Sequence, residues 1–346
     1  MTDQHIISDY IIADYALQNG DRFETLRQSY VTLGEPRRNK AGRIGNAVLL
    51  LHNTTGSAQE WLGPGLADEL FGAGQPLDAS RHFLIMPDAI GFGRSSKPSD
   101  GLRARFPRYR YQDIVVAQHR LLTEHLAVDH LSMIVGLSMG GMLAWLWGGL
   151  FPGFMDALVP VACQPGPMSG RNWLQRRMQI ELIRNDPNWH GGNYVDQPGY
   201  YTRAPFGALM TASAVQLQKL APTREAADAL YRRMVQRASA GDANDRLYQL
   251  EAAMDYDPAP LLERIEARAL AINFEDDELN PAHLGTLEAG IARVANARAV
   301  VLPVGPRSIG HRSALQAQLW KTELQVFMTE LEREKIKPGF DPNTQS

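Results

Sequence analysis

"MIVGLSMGGMLAWLW", Met133–Trp147, sets one serine among glycines directly after a run of apolar residues. Gly136-Leu137-Ser138-Met139-Gly140 matches G-x-S-x-G, a pattern too short to mean much alone. Here a strand-like run precedes it and a helix-like run follows. That context predicts a sharp strand-to-helix turn with Ser138 at its centre in a strained backbone conformation. The neighbours must be small so that nothing clashes. The hydroxyl then stands clear of the sheet, at a helix N-terminus whose dipole favours developing negative charge. The alternative is a glycine-rich helix start with an N-capping serine. The strand–turn–helix context favours a nucleophile.

Five more short apolar runs surround this one: Ala47–Leu51, Phe83–Met86, "MDALVPVAC", "ARALAINFEDDE" and "ARAVVLPVG". Unbroken runs of this length suit strands buried on both faces of a parallel sheet. Helical patterns lie between them: "YQDIVVAQHRLLTEHL", "MGGMLAWLWGGL", "PAHLGTLEAGIARV" opening with Pro281, and "SALQAQLWKTELQVFMTELE". The alternation predicts an α/β fold with a mostly parallel, doubly wound sheet. It fails between Gln164 and Asp257, where "RNWLQRRMQIELIRNDP" and "REAADALYRRMVQRA" are helical with no strand between them. The expected organisation is a core of residues 1–164 and 257–346 with a helical cap, 165–256, inserted in it.

Bulk properties narrow the function. The 346 residues are 44% hydrophobic and 21% charged, with a formal net charge of −3. That near-balance supplies no electrostatic pull toward nucleic acid or an anionic membrane. No apolar stretch reaches membrane-spanning length, and "MTDQHIISDYII" lacks the pattern of a signal peptide. Cys163 is the only cysteine, so no internal disulfide forms, which suits a cytoplasmic protein. It ends an apolar run and is read as buried filler; Met142, Trp145 and Trp147 are read as core. No cluster with ligand spacing is present, so no metal or organic cofactor is expected.

A serine hydroxyl needs a base, and on this architecture the order is Ser, acid, His. Two histidines follow a plausible acid, His283 and His311. His283 lies within a predicted helix and would have to fold back. His311, in "GPRSIGHRSAL" between the last strand and the last helix, can swing over the sheet edge and serve as general base and acid. The acid must come from Glu275, Asp276, Asp277 or Glu278, among which composition does not choose. The acids left over are expected to be solvated loop charges. Two amides must bind the oxyanion: that of Met139, after the nucleophile, and that of Thr54 in "HNTTGS". For His52, Asn53 and Thr55, organising that loop is as good a reading as catalysis.

These residues resemble the homoserine O-acetyltransferase-like branch of the α/β-hydrolase superfamily. "NAVLLLHNTTGS", "RFPRYRYQDIVVAQHRLL", "GLSMGGMLAWLWGGLFP", "RMQIELIRNDPNWHGGNY" and "GHRSA" are similar to its motifs. "DDELNP" resembles its acid loop, D-x-L-F-P, which implies Asp277 as the acid. The resemblance also implies a homodimer formed through cap helices. Three features depart from the family. "PDAIGFGRSSKP" replaces a glycine, cysteine and threonine-rich signature; Arg312 stands where the family has an aspartate; Gln112 stands where it has an arginine. An arginine beside the histidine would repel an ammonium group. The expectation is therefore a hydrolase of small acetyl-type esters, closer to esterase members than to the transferases. The rivals are an acyl-CoA-dependent O-acyltransferase and a non-catalytic scaffold.

Overall fold

A computed structural model describes residues 5–202 and 206–336. Eight strands form one sheet: β1 (Ile6–Ala16), β2 (Arg22–Leu33), β3 (Ala47–Leu51), β4 (Phe83–Pro87), β5 (Met133–Leu137), β6 (Ala157–Val161), β7 (Arg268–Phe274) and β8 (Ala297–Leu302). Their order is β1-β2-β4-β3-β5-β6-β7-β8. From β4 to β8 every pairing is parallel, while β1–β2 and β2–β4 are antiparallel. The six central and C-terminal strands are those the apolar runs predict. β1 and β2 were not resolved by that reading, because "IISDYIIADYA" and "RFETLRQSYVTL" mix polar and apolar residues at a sheet edge.

The unbroken runs are explained by what each face meets. Leu49, Leu51, Ile134 and Leu158 pack into one buried cluster; Val48, Leu50, Val135, Leu137 and Val159 pack into another on the opposite face. Alternate side chains of β3, β5 and β6 thus enter two separate cores, so these strands have no position for a polar residue.

The helices are α1 (Ala67–Leu70), α2 (Tyr111–Arg120), α3 (Met139–Leu150), α4 (Gly170–Arg184), α5 (Phe206–Thr211), α6 (Ala214–Leu220), α7 (Arg224–Ala238), α8 (Ala243–Glu251), α9 (Thr286–Ile291) and α10 (Lys321–Ile336). Leu143, Trp145 and Trp147 of α3 pack on the first face, and Leu324 and Phe327 of α10 on the second. Two helix predictions need correction. The stretch after Pro281 is not one helix: a short turn at Ala282–Leu284 ends at Gly285, whose φ of +69° interrupts it before α9. The final helix starts at Lys321, and residues 310–319 form two tight turns instead.

Between β6 and β7 the described residues form helices and loops, α4 to α8, where an inserted cap was expected. Residues 1–4, 203–205 and 337–346 of the expected division lie outside the described residues. Among the described residues no helix is long and apolar enough to cross a membrane.

Candidate active site

Ser138 occupies the sharp turn between β5 and α3, with φ +53° and ψ −108°. For a residue with a Cβ this conformation costs about 1–3 kcal/mol and persists only where packing enforces it. The enforcement is visible on both sides. A Cβ on Gly136 would lie 2.1 Å from the Gly140 carbonyl oxygen, and one on Gly140 would lie 2.1 Å from that of Leu51. The two glycines are therefore required by backbone contact. The Ser138 amide donates to the Val161 carbonyl at 2.8 Å, tying the turn to the neighbouring strand. Ser138 forms no side-chain cap, so the N-capping alternative is not what the hydroxyl does.

That hydroxyl is 2.8 Å from Nε2 of His311, and Nδ1 of His311 is 2.8 Å from Oδ2 of Asp277. Asp277 is 1% exposed. Its Oδ1 accepts from the amides of Leu279 at 2.9 Å and Asn280 at 3.3 Å, and its Oδ2 also accepts from Asn280 Nδ2 at 2.9 Å. The tight turn after β7 thus holds the carboxylate so that one oxygen faces the imidazole. Neither His283 nor another member of the acidic run enters this chain of hydrogen bonds.

The remaining acids are not merely solvated, contrary to expectation. Oδ2 of Asp276 accepts the Gly310 amide at 2.9 Å, pinning the loop that carries His311. Oε2 of Glu275 accepts the Val304 amide at 2.9 Å, and Glu278 pairs with Arg171 of α4. Two of these acids thus hold loop amides and the third pairs with a helix.

Met139 heads α3, where first-turn amides have no partner within the helix. Thr54 lines the cavity that opens onto Ser138. Its loop is organised by Asn53, whose Oδ1 accepts the Thr55 amide at 2.7 Å. Asn53 Nδ2 in turn donates to Glu60 at 2.6 Å, and the Asn53 amide donates to the same carboxylate at 3.2 Å. Burial pushes the Glu60 carboxyl up to about 7. His52 is buried and bridges two loops, with Nδ1 2.8 Å from the Asn53 carbonyl and Nε2 accepting the Ala89 amide at 3.0 Å. Its burial holds the ring below its usual pKa, which suits that structural role. Cys163 is fully buried, and burial pushes its thiol up, as expected of filler.

The cavity beside Ser138 and His311 measures about 340 Å³. Arg176, Arg237, Arg246 and Arg312 all line it, and among the described residues no aspartate or glutamate does. Arg312 follows His311 directly, while Gln112 is not among the lining residues. Sequence reading missed Arg176, Arg237 and Arg246: the first two sit in helices with four arginines each, Arg246 is the one arginine of α8, and nothing in the spacing says which of them turns inward. The departing segment "PDAIGFGRSSKP" is held by Asp88, which accepts the amides of Ala58 at 2.6 Å and Arg94 at 2.7 Å. Among the described residues no cluster of His, Cys, Asp or Glu is placed to hold a metal ion.

A hydroxyl, an imidazole and a buried carboxylate in series can move a proton from oxygen to nitrogen while the oxygen attacks an electrophile. Comparison with known proteins concerns the fold and the family. The family pattern described as the alpha/beta hydrolase fold matches residues 46–303. A homoserine O-acetyltransferase of Thermobifida fusca (strain YX) is 34% identical over 197 residues, covering 53% of this chain and 50% of that one. One from Acidiphilium cryptum (strain JF-5) is 31% identical over 294 residues, covering 79% and 74%. The chain therefore spans about half the length of the first relative and about three quarters of the second. The structure of an acetylester hydrolase from Corynebacterium glutamicum superposes with a TM-score of 0.80 at 21% identity, covering 94% of this chain and 96% of that one. That of a homoserine O-acetyltransferase from Bacillus anthracis does so with a TM-score of 0.81 at 20% identity, covering 94% and 97%. At those identities both likenesses concern the fold.

Proposed function

The chain belongs to the alpha/beta hydrolase family, among the relatives of homoserine O-acetyltransferase, and from that membership we propose that it is a serine-dependent hydrolase of short acyl esters, acetyl or near it. The observation that carries the reading is the unbroken contact of Ser138 with His311 and of His311 with Asp277, at 2.8 Å each. Ser138 Oγ attacks the ester carbonyl carbon as its proton passes to His311 Nε2. Asp277 holds the tautomer that leaves Nε2 free to accept it. The tetrahedral oxyanion rests on the Met139 and Thr54 amides. His311 then protonates the alcohol oxygen as the carbon–oxygen bond breaks. Water attacks the acyl-enzyme with its proton going to His311, and the acid leaves as Ser138 is reprotonated.

One observation favours a second reading. The relatives in sequence are named homoserine O-acetyltransferases, and transfer from acetyl-CoA to an alcohol would use the same acyl-serine, formed as the coenzyme thiol leaves and released to an alcohol instead of water. The cavity weighs against homoserine as that alcohol. Among the described residues it offers arginines and no acid to an ammonium group. Its small volume, low in the range for ligand pockets, fits a short ester and leaves the cap to restrict the alcohol side.

The test measures hydrolysis of p-nitrophenyl acetate, butyrate and longer esters beside acetyl-CoA with homoserine. Hydrolysis of acetate faster than acetylhomoserine formation is expected, and the reverse ranking overturns the proposal. Ser138→Ala should lower turnover by at least about 10³-fold with the fold intact; activity surviving that change assigns the attack to another group.

A further inference from the structure

The cavity wall facing Ser138 contains two guanidinium groups that have no counter-charge among the described residues. Arg176, on α4, is 3% exposed. Its Nε donates to Asn172 at 3.0 Å and its Nη2 to the Thr54 hydroxyl at 3.3 Å. Its Nη1 is buried and has no hydrogen-bond partner. Arg246, on α8, is half-buried and donates Nη2 to Gln179 at 2.9 Å. Among the described residues neither arginine pairs with a carboxylate, although many others in the chain do. Arg237 and Arg312 line the same cavity, are exposed, and are likewise outside every ion pair of the described residues.

Two neighbouring guanidinium groups on one cavity wall, Arg176 buried and Arg246 half-buried, repel each other, and a buried donor without an acceptor adds to the penalty. Burial and the neighbouring Arg176 together lower the Arg246 pKa to about 10, so it stays charged at neutral pH. A structural role would have supplied an acid, as Glu251 does for Arg108 and Arg184. The missing partner is then an anion that enters the cavity. Its place follows from the contact of Arg176 with Thr54, on the loop across from Ser138: the anion and the reacting carbonyl share one small space.

We propose that the substrate is an ester bearing a carboxylate, held by Arg176 and Arg246 while Ser138 attacks the ester carbonyl. The proposal rests on the ester-hydrolase reading and adds the substrate class. The carboxylate is not consumed: the ester bond alone breaks, water supplies hydroxyl to the acyl carbon and a proton to the alcohol, and the guanidinium groups orient. The volume of about 340 Å³ keeps the whole ester small. The phosphates of a coenzyme A thioester lie at the far end of a long arm, too far from its acyl group to reach guanidinium groups in this wall.

Two pairs of isosteric esters test it. Monomethyl succinate against methyl succinamate places the carboxylate on the acyl side, and acetoxyacetate against acetoxyacetamide places it on the alcohol side. In the wild type the carboxylate member of one pair should lead in kcat/KM by about 10- to 100-fold, as expected for a charge-assisted contact. Which pair shows it locates the charge. The preference should fall toward unity in Arg176→Gln and Arg246→Gln and be partly kept in Arg246→Lys. Equal or slower turnover of both carboxylates in the wild type overturns the proposal and leaves ester hydrolysis standing. A preference that survives both glutamine variants also overturns it. If no ester is turned over, the hydrolase reading falls and succinate decides the anion site: a rise in melting temperature of the wild type that Arg246→Gln abolishes supports it, and no rise overturns it.

Discussion

Asp277 accepts from His311, from the Asn280 side chain and from the Leu279 and Asn280 amides, so its carboxylate has no freedom to turn. Its value to the proposed chemistry is the tautomer it selects. Asp277→Asn should keep the fold, since the amide oxygen can still accept from the turn, but present an N–H to Nδ1. The imidazole then carries its proton on Nε2 and cannot take one from Ser138. A drop in kcat of about 10⁴-fold is expected, with an unchanged urea midpoint. A drop under tenfold would show that the carboxylate is dispensable. Of this site Ser138 and His311 were legible in the chain, because each is tied to the end of a strand, while the same reasoning left four adjacent acids open and only the family resemblance implied Asp277. Asn280, which holds Asp277, was hidden: its polar side chain is 3% exposed in a turn that composition would leave in solvent.

The loop between β3 and α1 shows how an element is held by a group outside the chemistry. Glu60 accepts the Asn53 amide and side chain, and burial raises its pKa from 4.5 to about 7. Between those values the folded protein keeps a proton that the unfolded chain has released. Its contribution to stability therefore falls as pH rises from about 4.5 to about 7, and the loop beside Ser138 is held most firmly below that window. Glu60→Gln should flatten this component: the wild-type urea midpoint should fall relative to the variant's between pH 5 and pH 7. Parallel curves for the two proteins would count against it. The same element shows why β1 and β2 escaped notice while β3 did not. Ala47–Leu51 is buried on both faces, whereas Ile6, Ile7 and Ile11 of β1 stand in solvent at 57%, 40% and 53% exposure, so its pattern carries no clean period.

Across the whole molecule, the helices between β6 and β7 share a buried apolar cluster with the sheet, through Ile180, Ile183, Leu247 and Leu250, and polar contacts add to that packing. Asp245 accepts from the Ser99 amide at 2.8 Å and its hydroxyl at 2.7 Å, and the buried Glu251 carboxylate pairs with both Arg108 and Arg184. Glu251→Ala should destabilise the protein by about 1–3 kcal/mol, less than a fully buried pair would, because both arginines are more than a third exposed and rehydrate. Urea denaturation checks this, and a loss below about 0.5 kcal/mol would place the fastening elsewhere. On the outer side, Leu174 and Met178, one turn apart on α4, are 61% and 41% exposed. The homodimer that the resemblance implies would cover them. Sedimentation should give twice the chain's mass, reduced by Leu174→Glu; a monomer at all concentrations would remove that expectation. Strand runs, the elbow around Ser138 and the order serine, acid, histidine were all written in the chain, because burial on two faces and backbone crowding act on neighbours in sequence. Which arginine of α4 turns inward, that Arg246 of α8 joins it, which acid holds which partner, and that among the described residues no carboxylate meets Arg176 or Arg246 came only with the packed molecule. Those facts depend on helices crossing a cavity from distant parts of the chain, and no local pattern encodes the angle at which they cross.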